Sequence, residues 1–222
     1  MSAKSAFFID VDNTLLDNDH IKDEIKISLV KVFGQKDADH FWHHYNGFRD
    51  YQKYIDFPKI IRGYCHELHG DKCRMEFMQV FNSIEFKHAL YPKVPEVLKY
   101  LKSIGLVNLF TEGDLVYQKR KVEESGLKSL VDKVYLFDHK MDHLEEVIED
   151  FADARIVFIE DRADYLGKIK SLHPEIFIIH ITQGHYAKIK GENFKTINLK
   201  FKKVADLLTL KIHQIAVKGK YD

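Results

Sequence analysis

The sequence is poor in cysteine and proline. Its 222 residues include four prolines and only two cysteines, Cys65 and Cys73, which form neither a C-x-x-C pair nor a set of metal ligands. This scarcity excludes a framework of several disulfides. The Met-Ser-Ala-Lys start also lacks the long apolar core of a signal peptide. We therefore expect a reducing compartment, the cytoplasm.

The chain also lacks a net charge and long apolar runs. Lys plus Arg number 34 and Asp plus Glu also number 34, so no net field attracts nucleic acid or an acidic membrane surface. The longest apolar runs, such as Ile176–Ile181, are far shorter than the roughly 20 residues of a transmembrane helix. We therefore expect neither nucleic acid nor a membrane as a partner, and the oligomeric state stays open.

Short apolar runs alternate with amphipathic stretches along much of the chain. Five runs are rich in branched or aromatic residues and predict buried strands: Ala6–Ile9, Leu106–Phe110, Val134–Phe137, Ile156–Ile159 and Ile176–Ile181. Pro95–Ser103 and Leu115–Ser125 predict helices that each end before a glycine. Repeated strand and helix predict an α/β fold with a doubly wound parallel sheet, which binds ligands at the carboxyl ends of its strands.

One long stretch breaks this alternation. Between positions 17 and 91 only helical patterns occur, over Ile21–Phe33, Ala38–Phe48, Tyr51–Leu68 and Lys72–Phe81. A connection of this length inside a compact domain is usually a functional insertion. We predict that residues 1–16 and 92–222 form the α/β core and that residues 17–91 form an inserted helical cap.

Two carboxylates follow the first predicted strand. Asp10 and Asp12 are separated by one residue, point to the same side and repel each other unless a cation lies between them. Hard oxygen ligands suit Mg²⁺, which takes one or two carboxylates together with phosphate oxygens and water. The turn at Asn13 and Thr14 offers backbone N–H groups to a phosphate oxygen. The alternative is an ordinary Asp-rich turn.

These residues resemble the signature of the haloacid dehalogenase superfamily. Its D-x-D-x-T motif ends the first strand, and Asp10, Asp12 and Thr14 match it. Members usually carry glycine in place of Asn13, and asparagine tolerates the left-handed backbone better than most residues. The resemblance implies a Rossmann-like core with a helical cap, Asp10 as nucleophile, Asp12 as acid and base, and both at a magnesium site.

The resemblance extends to two further motifs. Thr111, which ends the second strand, matches the Ser or Thr that donates to a phosphate oxygen, and Glu112 follows it at the predicted phosphate site. Thr111 as a simple helix cap is the alternative. Lys140 fits the family's lysine, which neutralises the phosphate and the metal-site carboxylates. Its rivals, Lys119 and Lys121, lie inside a predicted helix, where we expect them to be solvated.

A second acidic pair follows the fourth predicted strand. Glu160 and Asp161 are adjacent, so their like charges again need a cation or an unusual set of hydrogen bonds. The resemblance implies that Asp161 binds magnesium directly and Glu160 through water, with Asp164 as a possible aid. The alternative is an exposed turn paired with Arg162.

Together these residues predict a magnesium-dependent phosphohydrolase. It would act on a small phosphorylated metabolite through an aspartyl-phosphate at Asp10, with Asn13, Thr111, Glu112 and Lys140 around the phosphate. Dehalogenases of the superfamily lack the second acid, because a halide leaves without a proton, so Asp12 favours phosphate chemistry. A phosphomutase or phosphotransferase is an open alternative within the family. A receiver-like phospho-switch, which is not an enzyme, is a second alternative.

Overall fold

Six parallel strands form one sheet. The computed structural model describes residues 5–52, 57–68, 70–188 and 197–215. The strands are β1 (Ser5–Ile9), β2 (Gly105–Glu112), β3 (Lys133–Phe137), β4 (Arg155–Glu160), β5 (Phe177–Ile181) and β6 (Leu199–Phe201). Their order across the sheet is β3-β2-β1-β4-β5-β6, and every neighbouring pair is parallel. The predicted doubly wound parallel sheet is confirmed.

All five predicted strands are present, with ends that differ by at most two residues. The sixth strand, β6, was not predicted. It is only three residues long, its middle residue is the exposed Lys200, and it pairs with β5 alone at the edge of the sheet. A short edge strand of this kind has no run of apolar residues that sequence could reveal.

Four helices lie between β1 and β2. They are α1 (Asn18–Phe33), α2 (Gln35–Gln52), α3 (Phe57–Leu68) and α4 (Gly70–Asn82). The helix predicted over Tyr51–Leu68 begins too early, because Tyr51 belongs to α2 and α3 begins at Phe57; residues 53–56 lie outside the described residues. Aromatic side chains fill the space between these helices, with Phe41 in contact with both Tyr64 and Phe77.

The chain leaves and rejoins the core at one place. The N–H of Asp17 donates to the Ala89 carbonyl at 2.7 Å, and the N–H of Tyr91 donates to the Leu15 carbonyl at 3.0 Å. Leu16 forms an antiparallel bridge with Leu90 between them. The two connections therefore run side by side between the sheet and the four helices. The predicted domain limits, 1–16 with 92–222 and 17–91, stay a prediction.

The remaining helices cover both faces of the sheet. They are α5 (Val94–Ile104), α6 (Leu115–Glu124), α7 (Leu127–Leu130), α8 (Leu144–Glu149), α9 (Ala163–Leu172) and α10 (Ile212–Ile215). In β1, Phe7 and Ile9 pack into one hydrophobic cluster while Ala6 and Phe8 pack into the other. All four side chains are fully buried, as expected for a central strand that is covered on both faces.

The two cysteines form a disulfide. Cys65 of α3 is bonded to Cys73 of α4, eight residues further along the chain. Our expectation of a reducing compartment took both residues as free thiols, and disulfides are rare in such compartments. The bond therefore removes that basis for a cytoplasmic location.

None of the helices in the described ranges is both long enough and apolar enough to cross a lipid bilayer.

Candidate active site

Asp10 lies at the centre of the sheet, where the strand order reverses. β1 is flanked by β2 on one side and β4 on the other, so successive crossovers leave in opposite directions from this point. Parallel sheets of this kind bind ligands just beyond the carboxyl ends of such strands. Asp10 directly follows β1, and its N–H donates to the Ile159 carbonyl of β4 at 3.0 Å. The sheet thus fixes the main chain of the predicted nucleophile.

Three buried carboxylates meet at this edge. Asp10, Glu160 and Asp161 each offer an oxygen atom, and these atoms lie within 4.8 Å of one another. Burial first, and then the charge of Glu160, raise the pKa of Asp10 to about 7 and the pKa of Asp161 to about 11. The Oδ2 atom of Asp161 has no hydrogen-bond partner among the residues described. Hard oxygen donors, mutual repulsion and an unpaired oxygen fit a divalent cation.

One buried cation lies against this acidic cluster. The Nζ of Lys140 is 2.7 Å from Oδ1 of Asp10 and 2.6 Å from Oε2 of Glu160. Burial lowers the pKa of Lys140, but the attraction of Asp10 and Glu160 outweighs it, so the net shift is upward and the ammonium stays charged. The single positive charge of Lys140 does not balance three carboxylates, so the cluster can also accept the charge of a metal ion. Lys140 thus lies where the sequence places it, beside Asp10.

Asp12 is outside the acidic cluster and contacts a second lysine. The Nζ of Lys121 lies 2.9 Å and 2.7 Å from the two carboxylate oxygens of Asp12, and it also donates to Oδ1 of Asn18 at 2.9 Å. Only 3% of Lys121 is exposed, whereas Lys119 on the same helix is exposed. Our expectation that both lysines are solvated is therefore wrong for Lys121. The carboxylate of Asp12, also predicted as a metal ligand, is held by Lys121 and Gln118 of α6 and is not part of the acidic cluster.

The helical period carries a signal that would have found Lys121. Tyr117, Gln118, Lys121 and Val122 recur at the spacing of one face of α6, and all four are buried. A lysine that shares a face with Tyr117 and Val122 is a candidate for a buried ion pair. Gln118 on the same face donates from Nε2 to Oγ1 of Thr111 at 2.8 Å and to Oδ1 of Asp12 at 3.4 Å.

Asn13 lines the same cavity as Asp10, but the N–H groups of Asn13 and Thr14 donate to the carbonyls of Leu16 and Val11, so neither is free for the predicted contact with a phosphate oxygen. Thr111 is buried at the end of β2, and Asp114 rather than Thr111 caps α6, by accepting from the Tyr117 N–H at 2.6 Å. The backbone of Asn13 is left-handed, with φ of 61°. This is the conformation for which the family usually carries glycine, and it is confirmed for asparagine.

The Asn13 side chain connects the turn to the first helix and to a distant 3₁₀ helix that begins at His185. Its Oδ1 accepts the N–H groups of Asn18 and Asp19 at 3.1 and 3.2 Å. Its Nδ2 lies 3.1 Å from Nδ1 of His185, which in turn lies 2.6 Å from Oδ1 of Asp19. Burial raises the pKa of Asp19, but the hydrogen bond and the charge of His185 lower this pKa by more, so the net shift is downward. No sequence motif pointed to His185.

Glu112 does not present a free carboxylate. It accepts from the N–H of Lys140 at 3.1 Å and from the hydroxyl of Tyr165, and it lies 3.6 Å from the guanidinium of Arg162. Because a carboxylate repels phosphate, only the main chain of Glu112 can serve the predicted phosphate site. The side chain of Asp164 accepts a hydrogen bond from the guanidinium of Arg162 at 2.5 Å, and Asp164 lies outside the acidic cluster.

Comparisons with known proteins agree with the fold and identify the family. The family model of haloacid dehalogenase-like hydrolases matches residues 4–170. Among curated proteins the sequence has no significant match. A solved haloacid dehalogenase-like hydrolase from Burkholderia xenovorans LB400 is 26% identical, with a TM-score of 0.85 over 94% of this chain and 99% of that chain.

Two more distant structures share the fold. The HAD-hydrolase YfnB from Bacillus subtilis, solved with bound magnesium, is 12% identical with a TM-score of 0.64, over 94% of this chain and 98% of that chain. The L-2-haloacid dehalogenase from Xanthobacter autotrophicus, with covalently bound chloropropionic acid, is 14% identical with a TM-score of 0.64, over 93% of this chain and 98% of that chain. Since the family model spans three quarters of the sequence, the chain belongs to the haloacid dehalogenase-like hydrolases.

Proposed function

We propose that the protein is a magnesium-dependent phosphohydrolase that acts on a small phosphorylated metabolite. The observation that carries this proposal is the second acid. Asp12 lies two residues beyond the buried Asp10 and is held at the same cavity by Lys121 and Gln118. A halide leaves without a proton, whereas an alkoxide needs one, so a positioned second carboxylate serves the cleavage of phosphate esters.

The first half of the reaction transfers the phosphoryl group to the protein. A carboxylate oxygen of Asp10 attacks phosphorus, the bond to the ester oxygen breaks, and Asp12 gives its proton to the departing alcohol. The ammonium of Lys140 and the hydroxyl of Thr111 would stabilise the charge of the transferred group.

The second half releases phosphate. Asp12 now accepts a proton from water as the water oxygen attacks phosphorus, and the bond between phosphorus and Asp10 breaks. Asp10, Glu160 and Asp161 would hold Mg²⁺, which supplies positive charge for the oxygens of the phosphoryl group. A phosphomutase or phosphotransferase would use the same first half and then pass the group to a second alcohol.

The test compares phosphate and halide release and then traps the intermediate. With Mg²⁺ and an aryl phosphate, we expect steady release of inorganic phosphate, and with 2-chloropropionate we expect no chloride. A phospho-switch would stop after one turnover. Chloride release without phosphate release would show a dehalogenase and overturn the proposal, and transfer to an added alcohol in place of release would show a phosphotransferase.

Rapid quenching of Asp12→Asn tests the two roles of Asp12. An aryl leaving group needs little protonation, so Asp10 should still be phosphorylated while hydrolysis slows by about 10²–10⁴-fold. A burst of phenol near one equivalent and a phosphorylated peptide containing Asp10 are expected. The matched control is Asp142→Asn, an exposed aspartate beside Lys140, which should turn over like the parent. A phosphoryl group on any other residue contradicts the assignment.

The predicted absence of nucleic-acid and membrane partners stays a prediction, as does the cytoplasmic location.

A further inference from the structure

Three consecutive residues of the segment after β5 lie against the turn at Asn13 and Thr14. Gln183 donates from Nε2 to the carbonyl of Thr14 at 2.8 Å. A Cβ at Gly184 would lie 2.7 Å from Cβ of Asn13, so the main chain at position 184 is packed directly against that side chain. Nδ1 of His185 lies 3.1 Å from Nδ2 of Asn13. We call Gln183, Gly184 and His185 together the clamp.

Both ends of the clamp are fixed by further hydrogen bonds. Oε1 of Gln183 accepts from the N–H of Val204 at 3.1 Å, so the Gln183 amide is bonded on two sides. The N–H and Nδ1 of His185 lie 2.8 and 2.6 Å from the two carboxylate oxygens of Asp19. An ionised carboxylate can only accept hydrogen bonds, so Nδ1 of His185 carries a proton in this contact. The clamp is therefore fixed both to α1 and to the segment after β6.

The clamped turn is connected to Asp12 by two routes. Asn13 is the chain neighbour of Asp12, and its left-handed backbone, with φ of 61°, is a conformation that persists only where the surroundings hold it. Oδ1 of Asn13 also accepts from the N–H of Asn18 at 3.1 Å. Oδ1 of Asn18 accepts in turn from Nζ of Lys121, which binds both carboxylate oxygens of Asp12. A displacement of Asn13 would therefore reach Asp12 by both routes.

We propose, on the basis of the phosphohydrolase function above, that the clamp positions the carboxylate of Asp12 for proton transfer. His185 is its main positioning residue, because it contacts Asn13 and is itself held by Asp19. Rates depend steeply on the placement of reacting groups, and a misplacement of about 1 Å can cost roughly 10²-fold. The Nδ1–H group is present in both the neutral and the charged imidazole, so this role does not require a change in the charge of His185.

Steady-state kinetics with 4-nitrophenyl phosphate test the positioning of Asp12. This leaving group needs little protonation, so kcat/KM reports the phosphorylation of Asp10, whereas kcat also reports the later hydrolysis that needs Asp12 as base. We expect His185→Ala to lower kcat by about 10–100-fold and to change kcat/KM by less than about threefold. A general loss of folded protein would lower both by the same factor. Equal losses, or none, would overturn the proposal.

Two conservative variants separate the ring nitrogens of His185, which also lines the active-site cavity. An asparagine amide can take the place of Nδ1, and a glutamine amide can take the place of Nε2. We expect His185→Asn to restore kcat to within about threefold of the parent and His185→Gln to stay as impaired as His185→Ala. Failure of asparagine to rescue would overturn the role of Nδ1. Rescue by glutamine alone would assign the effect to Nε2 and a substrate contact.

His173→Ala is the matched control for these variants. It also removes a histidine that contacts a carboxylate, since Nε2 of His173 lies 2.8 Å from Oε1 of Glu145, but His173 does not line the cavity. It should leave kcat and kcat/KM unchanged. A loss of kcat as large as that in His185→Ala would show that the kinetics do not report on the clamp.

Amide hydrogen exchange separates this inference from the proposed function. Three N–H groups of the clamped turn donate to the carbonyl of Val11, namely those of Thr14, Leu15 and Leu16. Their exchange reports on the clamp whether or not the protein is a phosphatase. We expect exchange about tenfold faster, or more, in His185→Ala than in the parent, and unchanged in His173→Ala.

Gln183→Met tests the other end of the clamp without a change at His185. It keeps the length of the side chain but removes the hydrogen bond to Thr14, so the same amides should exchange faster, by a smaller factor. This variant keeps the test decisive if His185→Ala does not fold. Unchanged exchange in every folded clamp variant would refute the clamp, even if the parent hydrolyses phosphate esters. Faster exchange in a protein that hydrolyses no phosphate ester would refute the phosphatase function alone.

Discussion

Lys121→Met is the substitution that best separates a buried active-site contact from an ordinary surface lysine. The Lys121 side chain is 4% exposed, and its ammonium contacts both carboxylate oxygens of Asp12. Methionine keeps most of the apolar stem but removes the charge and all three hydrogen bonds. Loss of one partner from a fully buried ion pair costs about 3–5 kcal/mol.

The expected effect on stability is smaller than that figure. Asp12 keeps 29% of its side-chain surface exposed, so water can solvate much of the charge that Lys121→Met leaves behind. We therefore expect Lys121→Met to lower the free energy of unfolding by about 2 kcal/mol. In a chain of this size each kcal/mol lowers Tm by roughly 2–4 °C, which gives a fall of about 4–8 °C.

The same substitution should slow catalysis. Without Lys121 the carboxylate of Asp12 is free to rotate, and a misplacement of about 1 Å can cost roughly 10²-fold in rate. We expect kcat to fall by about that factor, and Lys121→Arg to restore part of it. In an Asp12→Asn background, Lys121→Met should cost clearly less stability than in the parent, because the two residues interact directly.

Lys119→Met provides the control for thermal unfolding and for kcat. It places the same change on the same helix at an exposed position, where substitutions usually alter stability by less than about 0.5 kcal/mol. If Lys121→Met and Lys119→Met behave alike in both measurements, Lys121 neither stabilises nor positions Asp12.

Three further perturbations have expected outcomes. Gly105→Ala places a Cβ against the main chain of β1 and 2.9 Å from a ring carbon of Phe7, so urea unfolding should show that the free energy of unfolding falls by about 1–3 kcal/mol. Gly47→Ala, in an open helical position, is the control and should raise the free energy of unfolding by about 0.5–1 kcal/mol. Burial and a neighbouring acid raise the pKa of Asp10 to about 7, above its value of about 3.9 in an unfolded chain. Between these two pKa values the folded state retains a proton that the unfolded state has lost, so Tm of the metal-free protein should fall as pH rises from 4 to 7. Mg²⁺ should reduce this fall. A Tm that does not change with pH in the presence of chelator would contradict the raised pKa of Asp10. Reduction of the Cys65–Cys73 bond should lower stability by about 2–3 kcal/mol, the scale for a loop this short, and Cys65→Ser with Cys73→Ser should be insensitive to reductant.

Local patterns in the sequence were sufficient for the sheet and for the residues at its edge. The apolar parts of β1 and β4, Ala6–Ile9 and Ile156–Ile159, are followed directly by acids, so the positions of Asp10 and Asp161 follow from strand direction alone. The left-handed backbone of Asn13 was also readable, because asparagine tolerates it better than most residues and stands where the family usually carries glycine.

Contacts between distant segments were not readable in the same way. The period of α6 places Lys121 on the buried face, but it does not reveal the partner of Lys121, which is Asp12, 109 residues earlier. The Cys65–Cys73 bond depends on how α3 and α4 pack against each other, which spacing alone does not determine. His185 reaches Asp19 across 166 residues, from a short 3₁₀ helix with no recognisable motif.

Asn13 and Gly184 form a steric pair that has consequences for how this family varies. A Cβ at position 184 would lie 2.7 Å from Cβ of Asn13, so no side chain fits there while asparagine occupies position 13. Where a relative carries glycine at position 13, that obstruction disappears, and only the left-handed φ of 75° at position 184 still limits the choice to residues such as asparagine or aspartate. The two positions should therefore covary between homologues, and Asn13→Gly should be the compensating change that rescues a folding defect of Gly184→Asn.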